Sequence, residues 1–383
     1  MPVSDLADPR LWPSATASAD VPYADVQRAI GATTRAEADA FDAAVRRWLG
    51  HALAAGAGAS VAQTLARAPS PAAARHLRRL LADVERGDPE AADALHTTLF
   101  AVPIVLVAAL DAGAAAVTLE AVVADVSALA ATLRDARALG GCETFALSSS
   151  LVATDAIDLA ALPALLAHGE LAPRADAVAF GMLDLPPAPI GVEGSVERVH
   201  LRFIPGAVLT PAHVDPLAGS TIGRWGVPFA SAIAKALAAP GVSLLALPRP
   251  PLRFVRAVQE GRAAQREVSA QIFASNAIRR FRASCGEPTA IVSAHRAPDA
   301  PGGGELRLSL SSPFAPKAAQ GFRCPLYPYE TVLEVGAMLA SLLRDCRVSD
   351  VRFMPGVHDD VDPTTRGPLF FKDHGGASHS SLH

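Results

Sequence analysis

Val242-Ser-Leu-Leu-Ala-Leu247 is a short apolar run halted by Pro248, Pro250 and Pro251, and it opens a block reaching Phe353. The run reads as a buried strand entering a helix start. From Arg253 to Ser284 there is no proline, and Phe254, Val258, Val268, Ile272 and Phe281 keep one helix face apolar, with Gly261 as a weak point. Cys285-Gly286 ends that helix. Thr289 to Ala294 then reads as a strand. In Glu305-Leu-Arg-Leu-Ser-Leu310, Leu306, Leu308 and Leu310 fall on one face, with Glu305, Arg307 and Ser309 on the other. Pro298 to Gly304 forms the hairpin tip between these two strands.

A second helix is expected from about Tyr329 to Cys346, where Val332, Val335, Leu339, Leu342, Leu343 and Cys346 form a stripe. Glu330 and Glu334 at its start and Arg344 and Arg347 at its end suit the helix dipole. Val348 to Met354 closes the block as a weakly alternating strand before Pro355-Gly356. The order βαββαβ is that of a ferredoxin-like split βαβ unit, with two helices on one face of an antiparallel sheet. The other face must be covered or used.

Upstream, Tyr23 to Thr97 reads as helices; Phe41, Val45 and Leu49 fall in register, and Ser70-Pro71 caps a helix through Leu77, Leu80, Leu81 and Val84. Strands and helices alternate from Leu99 onward: Phe100 to Leu110, Leu119 to Leu139, Glu143 to Ser148, Asp158 to Leu166, Ala177 to Leu183, Val196 to Ile204 and Phe229 to Ala238. The expected class is α+β, with two lobes of mixed antiparallel sheet and helices. A helical segment (residues 1–97) precedes an α+β lobe (98–240), a ferredoxin-like lobe (241–356) and a terminal loop and tail (357–383). Val242 to Leu247 fits either lobe. Leu129-Ala-Ala-Thr-Leu-Arg-Asp-Ala-Arg137 echoes Leu339-Ala-Ser-Leu-Leu-Arg-Asp-Cys-Arg347. The echo is either an internal repeat or a coincidence in a chain rich in Ala, Leu and Arg.

The chain has 383 residues, room for two domains, and its net charge of −4 argues against wholesale coating of nucleic acid. Cys142, Cys285, Cys324 and Cys346 are widely spaced without a CxxC, which suits a reducing cytosol better than a disulfide framework. The N-terminus shows neither a basic n-region nor an apolar h-region, so a cytoplasmic protein is expected. Leu99 to Leu119 is long enough for a membrane span, but Pro103, Asp111 and Gly113 interrupt it, and a buried strand, Phe100 to Leu110, followed by a turn and a helix is the better reading.

Leu99-Phe-Ala-Val-Pro-Ile-Val105, Pro325-Leu-Tyr327, Val348-Ser-Asp-Val-Arg-Phe-Met-Pro-Gly356 and Gly367-Pro-Leu-Phe370 resemble a betaproteobacterial family of about this length. The resemblance is scattered over residues 97–375. That family has no established function, so it implies no activity. Many relatives carry a cysteine pair just before the Gly-x-Pro-Leu-Phe segment; here Val361-Asp-Pro-Thr-Thr-Arg366 has none, and no zinc ribbon follows.

Three sets of residues carry candidate chemistry. His213 and Asp215, in Thr210-Pro-Ala-His-Val-Asp215, offer an acid–base couple without an identifiable nucleophile. Arg253, Arg256, Arg262, Arg266, Arg279, Arg280 and Arg282 outnumber the acids of their helix and would bind phosphate or an acidic partner if they share one face; intramolecular ion pairs are the alternative. His358, Asp359, Asp360, Asp362 and His374 offer oxygen and imidazole ligands, in a spacing that matches neither an EF-hand nor a zincin. A solvated acidic loop is the plainer reading there. Ser148-Ser-Ser150 and Cys142 sit in no known nucleophile motif. No cofactor is expected. With no concentrated catalytic set, the expectation is a non-enzymatic binding or regulatory protein with a protein or small-molecule partner. A His213/Asp215 enzyme and a nucleic-acid binder are the alternatives, and open sheet edges favour self-association.

Overall fold

A computed structural model describes residues 23–358 except 56, 85–94, 141, 143, 155–186, 212–213, 218–221 and 313–314. Four helices come first: α1 (Tyr23–Gly31), α2 (Arg35–Ala54), α3 (Gly58–Ala66) and α4 (Pro71–Val84). The start of α4 follows from its sequence. Ser70 Oγ accepts from Ala73 N at 3.1 Å, and Pro71 opens the first turn, where no N–H is needed. Ala74, Leu77 and Leu81, at spacings of three and four, are fully buried. The described residues then group into two compact units. One draws on Met1–Ala38, Thr64–Leu77 and Arg266–His383, the other on Asp39–Gln63 and Arg78–Gln265.

The second of these units holds a four-stranded sheet. It contains β1 (Leu95–Leu110), β2 (Val117–Leu119), α5 (Val126–Asp135), β3 (Phe145–Leu147), β4 (Ile190–Val192), β5 (Arg198–Pro211), α6 (Gly226–Ala236) and β6 (Val242–Pro248). The sheet order is β3-β5-β1-β6, and β2 pairs with β4 separately. β1 runs antiparallel to β5 from Leu95↔Pro211 to Ala108↔Arg198, and antiparallel to β6 from Ile104↔Pro248 to Leu110↔Val242. Taken as β1-α5-β3-β5-α6-β6, the chain makes two interleaved βαβ crossovers in which parallel strands are never neighbours. Phe100, Val102, Ile104 and Leu106 form a core with Leu129 and Leu133 of α5 and Phe229 and Ile233 of α6. Gly206 is required here, because a Cβ would sit against the Phe100 ring and 2.8 Å from the Ala146 carbonyl oxygen.

The α+β class is therefore what forms, but the ferredoxin-like C-terminal lobe is not confirmed. Its intended first strand, Val242–Pro248, is the edge of the first sheet. The reason is physical: β1 is apolar on both faces and needs a partner on each side, and an apolar run meets that need. The expected span Leu99–Leu119 is β1, a turn and β2, and no helix among the described residues is long and apolar enough to cross a membrane.

The helix α7 (Phe254–Ser284) follows, then β7 (Thr289–Arg296), β8 (Gly304–Ser312), β9 (Ala315–Pro325), α8 (Val332–Asp345) and β10 (Asp350–His358). The weak point of α7, Gly261, is a close approach: a Cβ there would lie 3.1 Å from Leu201 and from the Phe203 ring. The C-terminal strands form a second sheet, β10-β7-β8-β9, antiparallel except for the parallel pair β10/β7. Leu306, Leu308 and Leu310 are fully buried in a core with Ala274, Ile278 and Phe281 of α7 and Val335, Leu339 and Leu343 of α8. Thr331 and Glu334 cap α8 reciprocally, the side chain of each accepting from the other's backbone N–H. The expected scheme lacks β9. Among its described side chains those in the core are Phe322 and Cys324, so little alternation marks it.

The echo between Leu129–Arg137 and Leu339–Arg347 is a shared way of ending a helix. Ala138 N donates to Leu133 O at 2.8 Å and Val348 N to Leu343 O at 3.0 Å. Arg137 and Arg347 occupy the left-handed position between, with φ of 52° and 58°. Glycine normally fills that position. The strand orders of the two sheets differ, so the likeness stops at the helix ends. An arginine held left-handed is strained by roughly 1 kcal/mol, and a β-branched residue by more. Arg137→Gly is thus expected to raise the unfolding free energy measured in urea by about a few tenths of a kcal/mol after the entropy of glycine is counted. Arg137→Val is expected to lower it.

Candidate functional site

Arg253, just before α7, and the six arginines within it do not share one exposed face. Arg253 is 8% exposed, with Nη2 3.5 Å from Asp215 Oδ1. Arg256 pairs with Glu260 one turn on at 3.8 Å, and Arg262 also has a partner. Arg266 forms a buried fork, Nη1 and Nη2 each donating to Glu330 at 2.7 Å, and Glu330 Oε2 also accepts from Tyr327 N. Glu330, expected to serve the dipole of α8, thus fixes the approach to that helix.

The last three arginines differ. Arg279 donates to the Asn276 side chain and Arg280 to Gln320, both neutral partners. Arg282 donates to Glu287 and, through Nη2, to the carbonyls of Cys346 and Arg347 at 3.2 and 3.1 Å. Those carbonyls close α8, so the guanidinium caps one helix from the end of another. The Glu287 hydrogen bond raises the pKa of Arg282.

A different concentration of polar groups lies on the second sheet, on the face opposite the leucines. Glu305 is fully buried and shared by two guanidiniums: Arg307 Nε donates to Oε1 at 2.6 Å, Arg323 Nε to Oε2 at 2.8 Å. Ser293 and His295, on one face of β7, are also fully buried, with Oγ and Nε2 2.8 Å apart. A register shift in β10 between Phe353 and Val357 sets His358 beside His295, rings 5.5 Å apart. The sequence signal for this set is the polar half of two alternations, Ser293-x-His295 and Glu305-x-Arg307-x-Ser309. Sequence reasoning missed the set because a polar strand face ordinarily meets water. Here it is buried, so the groups serve one another, and neither Ser293 nor His295 is open to a substrate.

Between the second half of α7 and α8, within the same compact unit, runs an open groove of 910 Å³. Ile278, Met338 and Leu342 give it an apolar floor; Ser275, Arg279 and Arg347 are exposed along its rim. The apolar arc of α8 is wider than the sheet requires. Leu339 and Leu343 go to the core, whereas Met338, Leu342 and Cys346 are half-buried beside it. That width was visible in the stripe read from the sequence.

The other candidate residues do not meet in this region. Asp215 is held by Arg253 and accepts from Leu217 N, while His213 lies outside the described residues. Asp359, Asp360, Asp362 and His374 lie outside them as well, and only His358 of that set is placed. Among the described residues no group of three or more metal-ligating side chains gathers. Ser148 is buried and its Oγ accepts from Ser150 N; burial raises the pKa of the Cys142 thiol. His200 on β5 is held neutral, its pKa lowered to about 4 by burial and then by Arg202 and Arg198.

No family model, curated protein or solved structure matches the chain.

Removing Glu305 takes the shared carboxylate from two guanidiniums, one of them buried. Glu305→Ala is expected to destabilise by about 3–5 kcal/mol in chemical denaturation. A loss below about 1 kcal/mol would show that the carboxylate is not the shared partner of the two arginines.

Proposed function

We propose that this chain is a non-enzymatic binding or regulatory protein that receives its partner in the groove between α7 and α8. The observation that carries this reading is the groove itself, 910 Å³ with an apolar floor and an arginine rim. An apolar floor supplies affinity by leaving water, and a charged rim supplies orientation. The side chains of catalytic type do not offer an equal alternative. Ser293 and His295 are sealed in the sheet, and the Asp215 carboxylate already faces Arg253. The expected nucleic-acid surface loses support in the same way, since Arg253 is buried beside Asp215 and Arg266, half-buried, is paired with Glu330.

A photo-crosslinking amino acid at Ser275 tests the reading in cells that make the full chain. The expected result is a discrete adduct from position 275 that is lost when Ser341→Trp fills the groove. Val227 is 77% exposed and lies in the other compact unit, so the same reagent placed there should give none. Equal adducts from both positions, or persistence in Ser341→Trp, would overturn the proposal.

A further inference from the structure

We infer that the occupant of the groove is an acidic amphipathic helix of a partner protein, a reading that rests on the groove being the recognition surface. Charge at the end of the groove lined by Arg279, Arg282 and Arg347 argues for it. Because Arg282 binds the carbonyls of Cys346 and Arg347, the two residues just after α8, the C-terminal ends of α7 and α8 come together there. Over residues 279–287 and 344–347 the chain carries Arg279, Arg280, Arg282, Arg344 and Arg347 against Glu287 and Asp345. Arg282 takes Glu287, which leaves four arginines to one carboxylate, and of the four Arg279 and Arg347 line the groove. All four are exposed, and the two whose side-chain bonds are described, Arg279 and Arg280, have neutral partners. In a chain of net charge −4 this end is a local positive field, and it favours a negative partner.

The form of the partner follows from the rest of the lining. The floor of Ile278, Met338 and Leu342 is aliphatic and flexible, and a valley between two helices takes a third helix that lays apolar side chains into it at a spacing of three and four. Nucleic acid fits less well. Among the described residues no aromatic side chain lines the groove to stack on a base, and Glu267 and Asp345 on its walls repel a phosphate backbone. A peptide can avoid those two carboxylates because its own charges are placed singly. An acidic helix with its carboxylates toward the Arg279 and Arg347 end satisfies both the floor and the rim.

The test uses the full chain and a short fluorescent helical peptide, with leucines on one face and glutamates on the other. A lysine-for-glutamate version and a DNA duplex serve as comparisons. Anisotropy should show binding of the glutamate peptide that weakens as salt rises. The double variant Arg279→Glu/Arg347→Glu should weaken it by about tenfold or more, whereas Arg224→Glu outside the groove should not. Ser275→Trp, which fills the groove without changing its charge, should abolish binding and so gives a second reading independent of the charge reversals. Equal binding of the lysine peptide, preference for DNA, or indifference to both groove variants would each overturn the inference. An adduct from position 275 in cells, together with no binding of the glutamate peptide, would overturn the inference about the partner and leave the groove reading standing.

Discussion

Leu306, Leu308 and Leu310 must be kept from water, and meeting that need decides the shape of the C-terminal unit. Each fully buried leucine contributes about 1.5–3 kcal/mol, so the stripe is worth more than any single polar contact nearby. Two helices supply the cover. Side by side on one sheet face, α7 and α8 touch the leucines with their inner sides and diverge on their outer sides, because helix axes pack no closer than about 8–10 Å. The groove is what remains between them. The guanidinium of Arg282, seated on the carbonyls just after α8, fixes where the groove ends.

The arginines show how one residue type divides between structure and recognition. Arg266 and Arg307 meet carboxylates in buried settings, where a bidentate or shared geometry offsets desolvation. Arg282 works as a helix cap. Arg279 and Arg347 reach a groove rim instead, and Arg347 does so from a left-handed backbone that glycine would adopt with less strain. Arg137 adopts the same backbone at the end of α5, so the geometry belongs to the helix ending rather than to the groove.

Much of the second sheet was legible in the sequence because its signals are local. The alternation through Leu306–Leu310, the stripe of α8 and the proline-free run of α7 each report the face that packs. Strand partnership was not legible. Val242–Pro248 carries no mark of its sheet, since an apolar run fits any neighbour with a free edge, and the long-range pairing with Ile104–Leu110 settled it. The buried polar face escaped for a related reason: sequence shows that Glu305, Arg307, Ser293 and His295 share sides with one another, but not that the side is covered. The arginine excess around α7 is plain in the sequence, and only partner distances divide it into caps, buried pairs and rim.

Arginine-specific modification with phenylglyoxal, mapped by peptide mass spectrometry on the native full chain, separates the rim arginines from those held in ion pairs. Arg279 and Arg347 should react early, while Arg266 and Arg307 stay unmodified until the chain is unfolded. Early modification of Arg307 or Arg266, at the rate of Arg279, would contradict the account.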